Sequence, residues 1–159
     1  MKIAVFPGSF DPFTKGHEDV VKRGLEIFDH IIIAIGVNTS KKYFFSLEDR
    51  IAMINDIFKD EDRITVASFN KLTVDYCKEK SAPFILRGLR DSADFNYERN
   101  ISQVNKAMWP DVETVFLITT PKHAAISSTI LREILRNKGD ISKFIPDGMK
   151  IEKYLHNVD

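Results

Sequence analysis

Ile31-Ile32-Ile33-Ala34-Ile35 is apolar at every position, and a strand tolerates that only where both of its faces are covered. A strand with one wet face would alternate polar and apolar residues instead. The run therefore calls for a parallel sheet flanked by helices, and the rest of the chain supplies the parts. Strand-like runs at Ile3–Phe6, His30–Val37, Ile64–Ser68, Pro83–Arg87 and Glu113–Thr119 alternate with helical periods. Val21, Leu25 and Phe28 make one apolar stripe, and Leu47, Ile51, Ile54 and Phe58 make another. Tyr97, Ile101, Val104 and Met108 recur at i, i+4, i+7 and i+11. Ser46-Leu47-Glu48-Asp49 reads as a capping box, with Ser46 covering the first N–H groups of its helix. The tail from Pro146 to Asp159 places Ile151 and Leu155 at helical spacing and reads as a last short helix. No Pro/Gly/Ser-rich linker or internal repeat interrupts the pattern. The expectation is an α/β fold, a doubly wound five-stranded parallel sheet, in a single domain over residues 1–159.

Composition removes several functions. Lys+Arg 23 balance Asp+Glu 23, so no overall field draws nucleic acid or an acidic membrane, and neither is expected as a partner. The single cysteine, Cys77, forbids an intramolecular disulfide and sits at an apolar helical position beside Val74, which reads as packing. The longest apolar stretch, Ile31 to Val37, is too short to span a bilayer. One lysine and a short apolar run before Pro7 do not read as a signal peptide, so the expected address is cytoplasmic. No His/Cys/Asp/Glu spacing suggests a structural metal. His30 and His156 read as element-end residues.

The chemistry concentrates in loops that follow strands. After Ile3–Phe6 comes Pro7-Gly8-Ser9-Phe10-Asp11-Pro12-Phe13-Thr14-Lys15-Gly16-His17, a strand broken by Pro and Gly into a rigid loop that ends where a helix begins. Unpaired N–H groups and the helix dipole attract anions there, so a phosphate is the natural guest. Ser9, His17 and either Lys15 or Lys41 offer further donors. Lys41-Lys42 follows the second strand; a solvated surface pair is the plain reading, and a phosphate clamp is the functional one. Arg87-Gly88-Leu89-Arg90 reads as a tight turn leaving the fourth strand, with a guanidinium at each end. Arg87 suits bidentate phosphate recognition and Gly88 lets backbone approach a ligand, whereas an ion pair to Asp91 or Asp94 competes, above all for Arg90. Glu98, on spacing alone, is an exposed helix charge. Ile126-Ser127-Ser128-Thr129 opens another helix, where one hydroxyl suffices for the cap and three exceed that need. In doubly wound sheets ligands bind beyond the C-terminal strand ends, where strand order reverses. All these segments lie at that rim.

The wording of the loops carries a resemblance. Thr14-Lys15-Gly16-His17 resembles the T/H-x-G-H signature of nucleotidyltransferases with a class I synthetase-like, Rossmann-like core. Ser9-Phe10-Asp11-Pro12, Ile85–Arg90, Asp94-Phe95-Asn96-Tyr97-Glu98 and Ile126–Thr129 make the chain similar to the phosphopantetheine adenylyltransferases nearly end to end. The resemblance implies ATP and 4′-phosphopantetheine as partners, Mg²⁺ with the ATP, and a homohexamer. It implies that His17 and Lys41 are catalytic, Lys42 being the alternative lysine, and that Ser9, Lys41, Thr73 and Arg87 bind the phosphopantetheine substrate. It assigns ATP to Ser9, Phe10, His17, Gly88, Leu89, Arg90, Glu98, His123, Ala124, Ala125, Ile126, Ser127, Ser128 and Thr129. His123-Ala124-Ala125 departs from relatives that carry bulky aromatics there.

The implied reaction is attack of an already anionic phosphate on the α-phosphorus of ATP, which needs alignment and charge neutralisation rather than a general base. A sibling transferase acting on nicotinamide mononucleotide or a small phospho-alcohol is the near alternative, and a catalytically silent nucleotide- or RNA-binding module is the distant one. No G-x-x-x-x-G-K-[ST] or G-x-G-x-x-G fingerprint supports P-loop hydrolysis or dinucleotide redox chemistry.

Overall fold

Five parallel strands lie in the order β3-β2-β1-β4-β5, with β1 at Ile3–Gly8, β2 at His30–Gly36, β3 at Ile64–Phe69, β4 at Phe84–Leu89 and β5 at Glu113–Ile118. The computed structural model describes residues 1–156 and 158. Its helices are α1 (Lys15–Gly24), α2 (Leu47–Phe58), α3 (Thr73–Glu79), α4 (Ser92–Met108), α5 (Ser128–Arg136) and the short α6 (Glu152–Leu155), with a 3₁₀ turn at Pro121–His123. Sequence order runs outward from β1 to β3, then returns across β1 to β4 and β5. The direction of winding therefore reverses between β1 and β4.

The apolar run of β2, Ile31–Ile35, is covered on both faces. Ile31, Ile33 and Ile35 pack with Ala4, Phe6, Val20, Val21 and Ile54, under α1 and α2. Ile32 and Ala34 face the opposite way, with Val5, Val74, Tyr76 and Cys77, under α3. Ile31, Ile33 and Ile35 are fully buried, and each contributes roughly 2–3 kcal/mol by removal from water. Cys77 is a buried free thiol, and burial pushes its pKa up to about 12. A third cluster joins α2 and α5 to the C-terminal segment through Phe45, Met53, Leu131, Ile141 and Tyr154. Ser46 caps α2 by accepting the Asp49 N–H at 3.1 Å.

Three local expectations change. Pro7 does not break β1: Pro7 and Gly8 stay in register with Ala34 and Ile35 of β2. On the other side, β1 pairs with β4 only through Ala4–Phe84 and Val5–Ile85. The Pro7 carbonyl faces β4, where the ring has removed the N–H a ladder would need, and the two strands part there. Secondly, Arg87 and Gly88 are not in a turn. Both lie within β4, paired with Phe116 and Leu117 of β5. Thirdly, the Tyr97/Ile101/Val104/Met108 stripe of α4 is exposed at every position, with Tyr97 68% exposed. The buried side of α4 carries Glu98 and Asn105 instead, which face cavities beside β4 rather than the apolar core.

Candidate active site

The crevice opens where β1 and β4 part, and it holds a cavity of about 350 Å³. Its walls come from the β1–α1 loop, the C-terminal end of β4, the loop after β2 and the start of α5. The site thus stands at the reversal point of the sheet.

The T-x-G-H spacing has a local physical cause. Thr14 is the N-cap of α1 and His17 is its third helical residue. Thr14 Oγ1 accepts the His17 backbone N–H at 3.3 Å, and His17 Nδ1 accepts the Thr14 backbone N–H at 3.0 Å. This is a capping box in which a histidine takes the place usually held by Glu or Gln. The rings of Phe6, Phe10 and Phe13 stand 6.2, 5.0 and 5.2 Å from the imidazole. Burial, and then the positive charges of Arg87 and Arg90, push the His17 pKa down to about 3. The ring is neutral at physiological pH. Because Nδ1 is committed as an acceptor, the proton sits on Nε2. The crevice therefore holds a fixed, uncharged N–H donor.

Phe10 adopts a left-handed backbone (φ 48°), which turns its ring beneath the loop. A Cβ on Gly8 would lie 2.7 Å from that ring, so glycine there makes room for Phe10. Gly88 has a similar role with a different neighbour. A Cβ at Gly88 would meet Val20 Cγ2 at 2.9 Å, so its absence lets α1 lie close on β4. This packing role stands beside the expected approach of a ligand, since Gly88 also lines the cavity.

Arg87 is held in a fork. Its Nε and Nη2 donate to the two carboxylate oxygens of Glu98 at 3.0 and 2.7 Å, and Nη1 donates to the Pro7 carbonyl. The partner is Glu98, not Asp91 or Asp94. One N–H remains on each terminal nitrogen, a pair of donors suited to a phosphate. Glu98 is correspondingly buried rather than an exposed helix charge. Arg90 does form the competing ion pair: Nε and the backbone N–H both donate to Asp94 Oδ2 at 3.0 Å. Asp91 caps α4 by accepting the Asp94 N–H.

Among the hydroxyls, Ser127 is the N-cap of α5, accepting the Ile130 N–H at 3.2 Å. Ser128 donates to the Pro12 carbonyl at 2.8 Å. Thr129 accepts from Arg132 Nη2 at 3.1 Å. The hydroxyl protons of Ser127 and Thr129 stay available at the cavity wall.

The cavity also collects Ser9, Phe10, Lys41, Arg90, His123 and Ile126. Lys41 is at its wall and Lys42 is not. Lys15 points elsewhere, with Nζ 3.9 Å from Asp147. Ala124 and Leu89 do not line it, Leu89 being buried in the fold, and Ala125 lines a separate groove between α1 and α5. Thr73 lines a neighbouring cavity of about 300 Å³ that shares Ser9, Arg87 and Glu98 with the first. Two wall residues, Asp11 and Arg132, and one residue behind the wall, Arg50, escape sequence reasoning. Asp11 is buried within the loop motif, Arg50 holds the Ser9 carbonyl at 2.8 Å, and Arg132 donates to the Asp11 carbonyl at 2.9 Å. Arg132 lies one helical turn after the Ser127–Thr129 cluster, a spacing that could have revealed it.

Comparison with known proteins agrees with this fold. Residues 5–134 match the cytidylyltransferase-like family. The fold is shared with a bifunctional NMN adenylyltransferase/ADP ribose pyrophosphatase from Francisella tularensis, with TM-score 0.72 and 18% identity over 94% of this chain and 46% of that one. The phosphopantetheine adenylyltransferase of Flavobacterium psychrophilum is 50% identical over 96% of this chain and all of its own length. That of Cytophaga hutchinsonii is 52% identical over 91% of this chain and 97% of its own. Likeness of this depth, carried from the first strand into the C-terminal segment, settles the kinship: the chain belongs to the phosphopantetheine adenylyltransferase family.

Proposed function

We propose that this chain transfers the adenylyl group of ATP to 4′-phosphopantetheine, giving dephospho-coenzyme A and pyrophosphate. A phosphate oxygen of phosphopantetheine attacks the α-phosphorus, the bond from that phosphorus to the bridging oxygen breaks, and pyrophosphate leaves with the electron pair. The attacking group is already an anion, so no proton needs to be removed from it. The observation that carries the reading is the crevice itself, where a fixed neutral donor, a forked arginine, a lysine and a hydroxyl-rich helix start share one wall.

His17 would donate from Nε2 to the α-phosphate as its charge grows. A neutral donor does not hold the ground-state anion as tightly as a cation would, which favours stabilisation specific to the transition state. Arg87 and Lys41 would bring the two phosphates together against their repulsion, with Ser9 beside them. Ser127, Thr129 and the N-terminus of α5 would receive the leaving pyrophosphate. Gly88, Arg90, His123 and Ile126 would frame the rest of ATP. The cavity holding Thr73 would take the pantetheine arm. Its buried Asn105 has a side-chain amide without a hydrogen-bond partner among the described residues, suited to an amide-bearing ligand.

Mg²⁺ would enter on the triphosphate. The wall carboxylates are already committed, Asp11 to backbone N–H groups and Glu98 and Asp94 to arginines, so they do not fit a resident ion. Assembly into a homohexamer is supported by the outward apolar stripe of α4, and light scattering measures it directly. No helix among the described residues is long and apolar enough to cross a membrane, and we place this single catalytic domain in the cytoplasm.

Exchange of labelled pyrophosphate into ATP tests the function. Exchange should require dephospho-coenzyme A. Exchange supported by NAD instead would indicate the sibling transferase, and exchange with neither would leave a binding module.

A further inference from the structure

Two loops meet over the crevice, one after β1 bearing Ser9 and one after β2 bearing Lys41. Each reaches across to hold the other. From the first, the buried Asp11 carboxylate accepts the Phe44 backbone N–H at 2.7 Å through Oδ2 and the Phe45 N–H at 2.9 Å through Oδ1. From the second side, the buried Arg50 of α2 donates Nη1 to the Ser9 carbonyl at 2.8 Å and stacks 4.0 Å from the Tyr43 ring centroid. Lys41 Nζ stands 5.5 Å from the centroid of the same Tyr43 ring. The lysine is otherwise exposed on a loop, and only two residues separate it from Phe44.

A lysine on a flexible stem and a mobile loop would spend little time where two phosphates must meet. We propose that Asp11 is a positioning residue of the reaction, whose carboxylate clamps the Lys41 loop to the Ser9 loop and so sets the lysine's place at the reacting phosphates. The proposal rests on the reading of Lys41 given above. Both carboxylate oxygens are needed. An amide of the same shape keeps one acceptor and turns a donor toward the other N–H, leaving a buried N–H unpaired. Asp11 therefore acts through geometry rather than by touching substrate. Misplacing a charged group by about 1 Å can cost on the order of 10²-fold in rate.

The test is a double-mutant cycle of turnover in the full chain, with Asp11→Asn, Lys41→Ala and the two combined. Asp11→Asn is expected to lower kcat by about 10- to 100-fold with ATP affinity unchanged, since the α5 hydroxyls are untouched. In the Lys41→Ala background the same substitution should cost nothing further, because the group it positions is gone. A purely structural role would depress both backgrounds equally, and equal depression overturns the proposal. So does wild-type turnover in Asp11→Asn. Wild-type turnover in Lys41→Ala would instead overturn the assignment of the lysine itself. Should Asp11→Asn melt below assay temperature, Asp11→Glu keeps both acceptors but displaces the loop by one methylene. Its kcat should fall with ATP affinity intact and show the same non-additivity; additive loss there, too, overturns the proposal.

Discussion

Replacing Glu98 with alanine frees Arg87 from the fork that aims it. The carboxylate takes two of the arginine's N–H groups at 3.0 and 2.7 Å, and the two side chains are 11% and 30% exposed. Removing one partner of a fully buried pair costs about 3–5 kcal/mol. Here the arginine keeps its bond to the Pro7 carbonyl and some contact with water, so the loss should fall below that range, at about 2 kcal/mol. For a chain of this size that lowers Tm by about 4–8 °C. The functional effect should be selective. Both Glu98 oxygens serve Arg87, so the variant should weaken 4′-phosphopantetheine about tenfold as the guanidinium loses its preset orientation. ATP affinity should change little. Calorimetric titration of each ligand, with a thermal melt, measures all three quantities. Unchanged stability, or a loss confined to ATP, would refute the argument and restore Glu98 to the nucleotide.

Lys42→Ala should turn over at nearly the wild-type rate, because Lys42 is absent from the cavity wall; a severe defect in a steady-state assay would reassign the clamp. Gly88→Ala should destabilise by about 1–3 kcal/mol by forcing a methyl against Val20, and Val20→Ala in the same chain should recover part of it in denaturant melts. Failure of that rescue would place the cause elsewhere. The depressed pKa of His17 predicts a pH effect on stability. The folded ring titrates at about 3 and the unfolded one near 6.5, so the unfolded chain binds more protons between those values and stability falls as pH drops through that window. Its contribution is fully present above about pH 6.5. Wild type should lose more Tm between about pH 7 and pH 4 than His17→Asn, and parallel curves would contradict the burial argument.

The sheet and most of its helices were legible because apolar periodicity reports burial directly, as the Ile31–Ile35 run and the Leu47–Phe58 stripe show. The crevice was legible at one remove, from the rule that ligands gather where winding reverses. What escaped depends on contacts distant in sequence. Glu98 is buried because Arg87 of β4 meets it, and nothing within α4 announces that pairing. Asp11 and Arg50 hold backbone groups more than thirty residues away. Pro7 stays within a strand because only one of its two edges needs a donor. The stripe of α4 obeys helical periodicity and yet faces out, since an apolar face alone does not say what covers it.

The account rests on a neutral His17 donating to the α-phosphate as charge develops. Turnover of His17→Asn measured beside its ATP affinity tests this most directly, since asparagine can still accept the Thr14 N–H. Turnover should fall by about 10²–10³-fold while ATP binds nearly as in wild type. Near-normal turnover, or a loss of ATP affinity large enough to account for the defect, would contradict it.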